Sequence, residues 1–172
     1  MRKISCSLVF LVLISVSCAH VISKEMRREI SRDITFKQII KDPEAYVGKI
    51  VLISGIIIDS ENTEEGTLIE ILQKQPDMEG RPKDVDDSDG RFLALYDGYL
   101  DTAIYTQGRA VAVAGEIRGK KVLPLGQIDY TYPFIFIKEI HLFKVQKEER
   151  YYIYPQPYPY PYPWWDYPYF YP

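Results

Sequence analysis

The chain has very little cysteine and histidine, two of each in 172 residues. Cys6 stands in the extreme N-terminal stretch and Cys18 soon after it, so no disulfide framework is available to the rest of the chain. A domain built from this sequence must be held by core packing alone. His20 and His141 sit in no ligand spacing such as HxxxH, and no spare thiolate accompanies them. No serine lies in a GxSxG-like elbow. No lysine or arginine cluster is dense enough to neutralise many phosphates, which disfavours general nucleic-acid binding on electrostatic grounds. No apolar run approaches the roughly 20 residues needed to span a bilayer as a helix.

What is present begins at the N-terminus. Arg2 and Lys3 give a basic start, Leu8 to Val16 is apolar apart from Ser15, and Ser17 precedes Cys18. This is the form of a secretory signal, and a cysteine directly after the cut is the mark of a bacterial lipoprotein. The chain is expected to be exported, cleaved before Cys18 and tethered by lipid on that thiol. Ser15 stands where leucine is usual three positions before the cysteine. An ordinary signal peptide cut elsewhere and an uncleaved anchor helix are the competing readings. Loss of residues 1–17 leaves 155, enough for one domain with a real core. It also takes the 21 basic residues to 19 against 24 acidic ones, a net charge of −5.

Residues 19–33 are polar and charged and read as linker or short helix. Phe36, Ile39 and Ile40 then recur at helical spacing, with Thr35 as a plausible N-cap and Asp42-Pro43 as the stop. From Gly48 the period changes to two. Strands are expected at Lys49–Asp59, Thr67–Gln73, Arg91–Tyr96, Arg109–Arg118, Lys121–Tyr130 and Phe134–Val145. Gly48 to Gly55 and Gly108 to Gly115 echo each other, each reading Gly, base, x, Val, x, β-branched, small, Gly. Glycine inside a strand marks a bulge or a tight bend at a barrel corner. Two strands bent at one register suit a small closed barrel of OB type. The echoing strands should be neighbours, with Val51, Ile53, Leu68, Ile69 or Ile71, Leu93, Val111 and Val113 on the inner face.

The acidic stretch Asp84 to Gly90 invites a calcium reading. Counted from Asp84, however, positions six and twelve of an EF-hand loop fall on Asp89 and Leu95 instead of Gly and Glu. It reads as a solvated loop. Asp97 and Asp101 form no fixed carboxylate pair, and Asp97-Gly98 with Tyr99 reads as a turn. No catalytic constellation emerges, so no enzyme and no cofactor are expected. Tyr46, Tyr96, Tyr99, Tyr130 and Tyr132 can serve as core or as a binding platform. The stretch Tyr151 to Pro172 holds nine of the fifteen tyrosines, seven of the twelve prolines and both tryptophans, with Asp166 as its one charge. Alternating Pro and Tyr forbids helix and interior strand. An extended, unstructured tail is expected, acting either as an interaction segment or as a passive end.

Taken in order, Cys18, FxxIxxDPxxYxGK (Phe36 to Lys49), the Gly55-interrupted strand, Thr67 to Ile71, GRFLALYDGYLD (Gly90 to Asp101), GRAVAVAGEIRG (Gly108 to Gly119) and the aromatic end resemble the Slp family of Gram-negative outer-membrane lipoproteins. The resemblance covers Cys18 to about Lys144. It implies an outer-membrane lipoprotein linked to starvation, stationary phase or acid stress, with no enzymatic activity or defined ligand. Only Cys18 carries over as a functional residue. Ala19 replaces the aspartate that retains enteric lipoproteins in the inner membrane, which favours the outer membrane, with the protein facing the periplasm. The expected organisation is a signal peptide over 1–17, a lipid-anchored linker over 18–33, a barrel over 34–146 and a tail over 147–172. The membrane is then the first partner, and a glycan, peptide or envelope protein is the further candidate. Replacing Cys18→Ser should abolish labelling by a clickable fatty acid and move the protein to the soluble periplasmic fraction; label retained in that variant contradicts the lipidation.

Overall fold

The computed structural model describes residues 21–145. Cys18, His20, the signal stretch and the tyrosine-proline tail lie outside the described residues. Two short helices come first, α1 (Lys24–Glu29) and α2 (Phe36–Lys41), then a 3-10 turn at Pro43–Tyr46. Five strands follow: β1 (Ile50–Thr63), β2 (Gly66–Gln73), β3 (Arg91–Tyr96), β4 (Ala110–Leu125) and β5 (Ile128–Leu142). They close in the order β1-β2-β3-β5-β4. All pairings are antiparallel except β3 with β5, which is parallel. This is the five-stranded Greek-key barrel of OB type.

Alternation along the strands fills the barrel. Val51, Ile53 and Ile57, then Ile69 and Ile71, Phe92 and Ala94, Val111, Val113 and Ile117, and Ile135 with Ile137 form one buried cluster. Fully burying a branched aliphatic side chain contributes roughly 1.5–3 kcal/mol, so these side chains dominate the fold's stability. Helix α2 closes one end. Thr35 and Gln38 form a reciprocal capping box at its start, with the Thr35 N–H donating to Gln38 Oε1 at 2.8 Å. Phe36 and Ile39 enter the core cluster, and the Phe36 ring meets Phe92 at 5.7 Å between centroids. Leu100 and Tyr105, from the β3–β4 loop, pack against the same core.

The two echoing strands are neighbours, and their relation is a local two-fold. Ile53 pairs with Val113, its own counterpart in the echo, so the axis passes through that pair. Gly48 N–H donates to Ile117 O and Gly108 N–H to Ile57 O, each at 2.9 Å. Ile117 N–H donates to Lys49 O and Ile57 N–H to Arg109 O, again at 2.9 Å. At Gly55, β1 passes from β4 to β2 as its partner, and Gly115 lies at a register shift between β4 and β5. A Cβ at Gly55 would stand 2.4 Å from Leu72 O, and one at Gly115 would stand 2.6 Å from Phe136 O. Both glycines are therefore required by the close approach of a neighbouring backbone.

Three expectations need correction. Lys121–Tyr130 is no separate strand; it spans the end of β4, the Gly126-Gln127 turn and the start of β5, so the chain has five strands where six segments were expected, and the barrel is the small OB-type one expected. Leu93 is buried but faces outward, because Phe92 and Ala94 hold the inward positions of β3. Leu68 is likewise outward and half-buried, between the inward Thr67 and Ile69. The stretch read as linker or short helix takes the helical form at α1, and Ile22 before it is buried. Gly55→Ala and Gly115→Ala should each lower stability by about 1–3 kcal/mol, read as a lower urea midpoint. Unchanged midpoints in both variants contradict the close crossing.

Candidate functional site

Beyond the barrel wall, β4 and β5 continue as a two-stranded arm from Lys120 to Pro133. The arm folds over the outer face of β2 and β3. Tyr132, 2% exposed, donates its hydroxyl to Glu70 Oε1 at 3.3 Å. The same carboxylate oxygen accepts Arg91 Nη1 at 2.8 Å. Arg91 N–H donates to Tyr130 Oη at 3.1 Å, and the Tyr130 and Tyr132 rings meet edge-on with centroids 4.6 Å apart. This polar lattice pins the arm. It also explains why RFLALY is apolar on both faces, since Leu93 and Leu95 are buried outside the barrel as Phe92 and Ala94 are inside.

The hydrogen bond to Glu70 raises the Arg91 pKa further above its already high value. Tyr132 is pushed up from the ordinary 10.0 chiefly by burial, with the Glu70 charge and hydrogen bond adding to it. Its phenol therefore remains a donor at neutral pH.

Between the arm and the β1–β2 turn a cleft of about 260 Å³ remains. It is lined by Thr63, Glu64, Glu65, Leu68, Leu95 and Lys121. Its floor is aliphatic and its rim carries both signs of charge. In OB folds the outer face of strands 2 and 3, flanked by the 1–2 and 4–5 loops, is where extended chains dock, and this cleft occupies that position. Past it, the arm exposes Val122, Leu123 and Ile128 at 55%, 40% and 61%.

The aromatic candidates divide. Tyr46 and Tyr96 pack against the core, Tyr130 and Tyr132 pin the arm, and Tyr99 is exposed. The acidic stretch Asp84 to Asp89 is an exposed loop tied at Lys74, whose ammonium donates to Val85 O. Among the described residues no group of three or more His, Cys, Asp or Glu could hold a metal, and no helix is long and apolar enough to cross a membrane. Glu70, Arg91 and Lys121 were not singled out from sequence. The signal that could have found them is RFLALY itself, because a strand apolar on both faces must have its outer face covered.

The described ends of the chain lie together. Val21 Cγ2 is 3.0 Å from where a Cβ on Gly80 would stand. The adjoining Arg81 donates to Lys144 O at 3.3 Å and stacks on Phe143 with its guanidinium 4.8 Å from the ring centroid. The chain thus leaves the domain beside the point where it joins it.

A family model described as the Outer membrane lipoprotein Slp family matches residues 16–171. The chain belongs to that family. A comparison with curated proteins finds no match. Among solved structures, this Slp-family chain is similar to the small single-stranded DNA-binding protein from Streptomyces coelicolor. That alignment has 13% identity and a TM-score of 0.35, and covers 55% of this chain and 94% of the other. It is also similar to the mitochondrial single-stranded DNA-binding protein Rim1 from S. cerevisiae, with 13% identity and a TM-score of 0.32, covering 56% and 96%.

Because the folded pKa of Tyr132 lies above its unfolded value, its contribution is complete below about pH 10 and is lost as pH rises through the folded pKa. Tyr132→Phe should cost about 1 kcal/mol at neutral pH and shrink the alkaline loss of stability, measured as urea midpoint against pH. An unchanged midpoint at neutral pH contradicts the pinning bond.

Proposed function

We propose that this Slp-family protein is a non-catalytic structural or stress-related component of the outer membrane, acylated at Cys18, with its domain on the periplasmic side. The observation that carries this reading is the shortness of the tether. Ile22, 4% exposed, is already packed in the domain. Three residues separate it from Cys18, and the four residue steps between them reach at most about 14 Å. A lipid on Cys18 holds such a domain against the bilayer surface, where a long linker would let it range through the periplasm. The family match begins two residues before Cys18 and supports the same assignment.

The cleft between the arm and the β1–β2 turn favours a second reading, in which the domain binds a glycan, a peptide or an envelope protein. The tail belongs with this reading as an interaction segment. The last described residues, Phe143 and Lys144, lie beside Arg81 near Val21, and Tyr and Trp favour membrane–water interfaces and partner surfaces. Purified full-length lipoprotein should be tested against peptidoglycan, lipopolysaccharide and envelope extract, with Lys121→Glu at the cleft rim as the cleft variant. The structural reading expects no saturable partner whose capture depends on the cleft. Saturable capture lost in a folded Lys121→Glu variant overturns it in favour of the binding module.

A further inference from the structure

The part of the domain nearest the anchor carries a charge pattern that anchoring alone does not require. Lys24, Arg27, Arg28 and Arg32 line one open concavity of about 490 Å³, with Ile30 between them. Among the described residues no acidic side chain lines it. At 3.6 residues per turn, Lys24, Arg27 and Arg28 share an arc of about 100° on α1, while Glu25 and Glu29 fall on the adjoining face. Among the described residues none of the four cations forms an ion pair. Arg27 and Arg28 gain from the dipole in the last helical turn. Lys24 stands in the first turn against that dipole, and its i,i+4 relation to Arg28 is repulsive. Within the isolated domain Lys24 is therefore unfavourably placed.

The cluster is also held in place. Ile22 is buried, Ser23 N–H donates to Glu139 Oε1 at 2.9 Å and Oε2 at 3.2 Å, and Ser31 N–H donates to Ile50 O at 2.9 Å. Both ends of the segment are thus bolted to the barrel, and three residues lie between Ile22 and residue 18.

We propose that this concavity docks on the anionic phospholipid headgroups of the membrane that carries the anchor. Phosphate oxygens would accept the guanidinium N–H donors of Arg27, Arg28 and Arg32, a geometry that arginine forks match well. The nearness of the membrane rests on the acylation of Cys18; the charge complementarity does not. Each Lys or Arg brought to an anionic surface contributes about 1 kcal/mol, so docking would fix the barrel's orientation as well as its distance.

The test uses the mature chain, from residue 18 to the C-terminus, carrying Cys18→Ser, so that no lipid contributes. It should co-sediment with vesicles of phosphatidylglycerol and phosphatidylcholine but not with phosphatidylcholine alone, and added salt should release it. Arg27→Gln with Arg28→Gln should weaken this binding about 30-fold, whereas Glu25→Gln with Glu29→Gln should not weaken it. Circular dichroism checks the fold, and Lys24→Glu, expected to weaken binding likewise, serves if the double arginine variant is unfolded. Absence of binding to the anionic vesicles, equal binding to both vesicle types, or no loss in the folded cation variants overturns the proposal. Acyl labelling of the wild-type protein is scored separately. A protein that is not labelled refutes the Cys18 reading alone, and a labelled protein whose mature chain ignores anionic vesicles refutes the docking alone.

Discussion

The pairing of β1 with β4 is the constraint on which the rest of the molecule depends. A sheet of five strands becomes a barrel only if its first and last members meet, and here they meet about the Ile53–Val113 pair. The long strands must bend there without losing their ladder. Gly55 and Gly115 make this possible because any side chain would strike the carbonyls of Leu72 and Phe136. With the barrel closed, its interior is sealed by Phe36 and Ile39 from α2, with Leu100 and Tyr105 from the β3–β4 loop packed on the same core.

Closure also decides which surfaces remain for function. The same β4 and β5 that complete the wall run on into the arm, whose Tyr132 donates to Glu70 on β2. The arm narrows the outer face of β2 and β3 to a cleft. The N-terminal segment and the end of β5 meet around Gly80 and Arg81. The protein thereby gains two distinct regions, one where both chain ends join the domain and one with the cleft and the apolar arm tip. This division fits a protein fixed to a surface by one end.

Much of this was legible in the sequence, for identifiable reasons. The helix at Phe36 was announced by Thr35, by the spacing of Phe36, Ile39 and Ile40 and by the Asp42-Pro43 stop, all local signals. The neighbouring echo strands could be read because the constraint at each mid-strand glycine left a mark in the residues. Leu93 was misassigned because β3 is covered on both faces, so its period of two vanishes and the inward set cannot be told from the outward one. The extra strand at Lys121–Tyr130 arose because a two-residue turn at Gly126-Gln127 interrupts an apolar pattern too little to be noticed. Glu70, Arg91 and Lys121 stand on separate strands, and Lys121 is brought towards the other two only by the non-local pairing of β5 with β3. Cys18, the site residue read most directly from sequence, lies outside the described residues.

Native-state amide hydrogen exchange on the full-length protein tests the closure most directly. If the β1–β4 pairing holds the barrel together, the amides of Ile53 and Val113 exchange only through global unfolding and rank with the slowest in the molecule. Exchange of both through local opening, faster than Ile69 and Ile71 on β2, would contradict it.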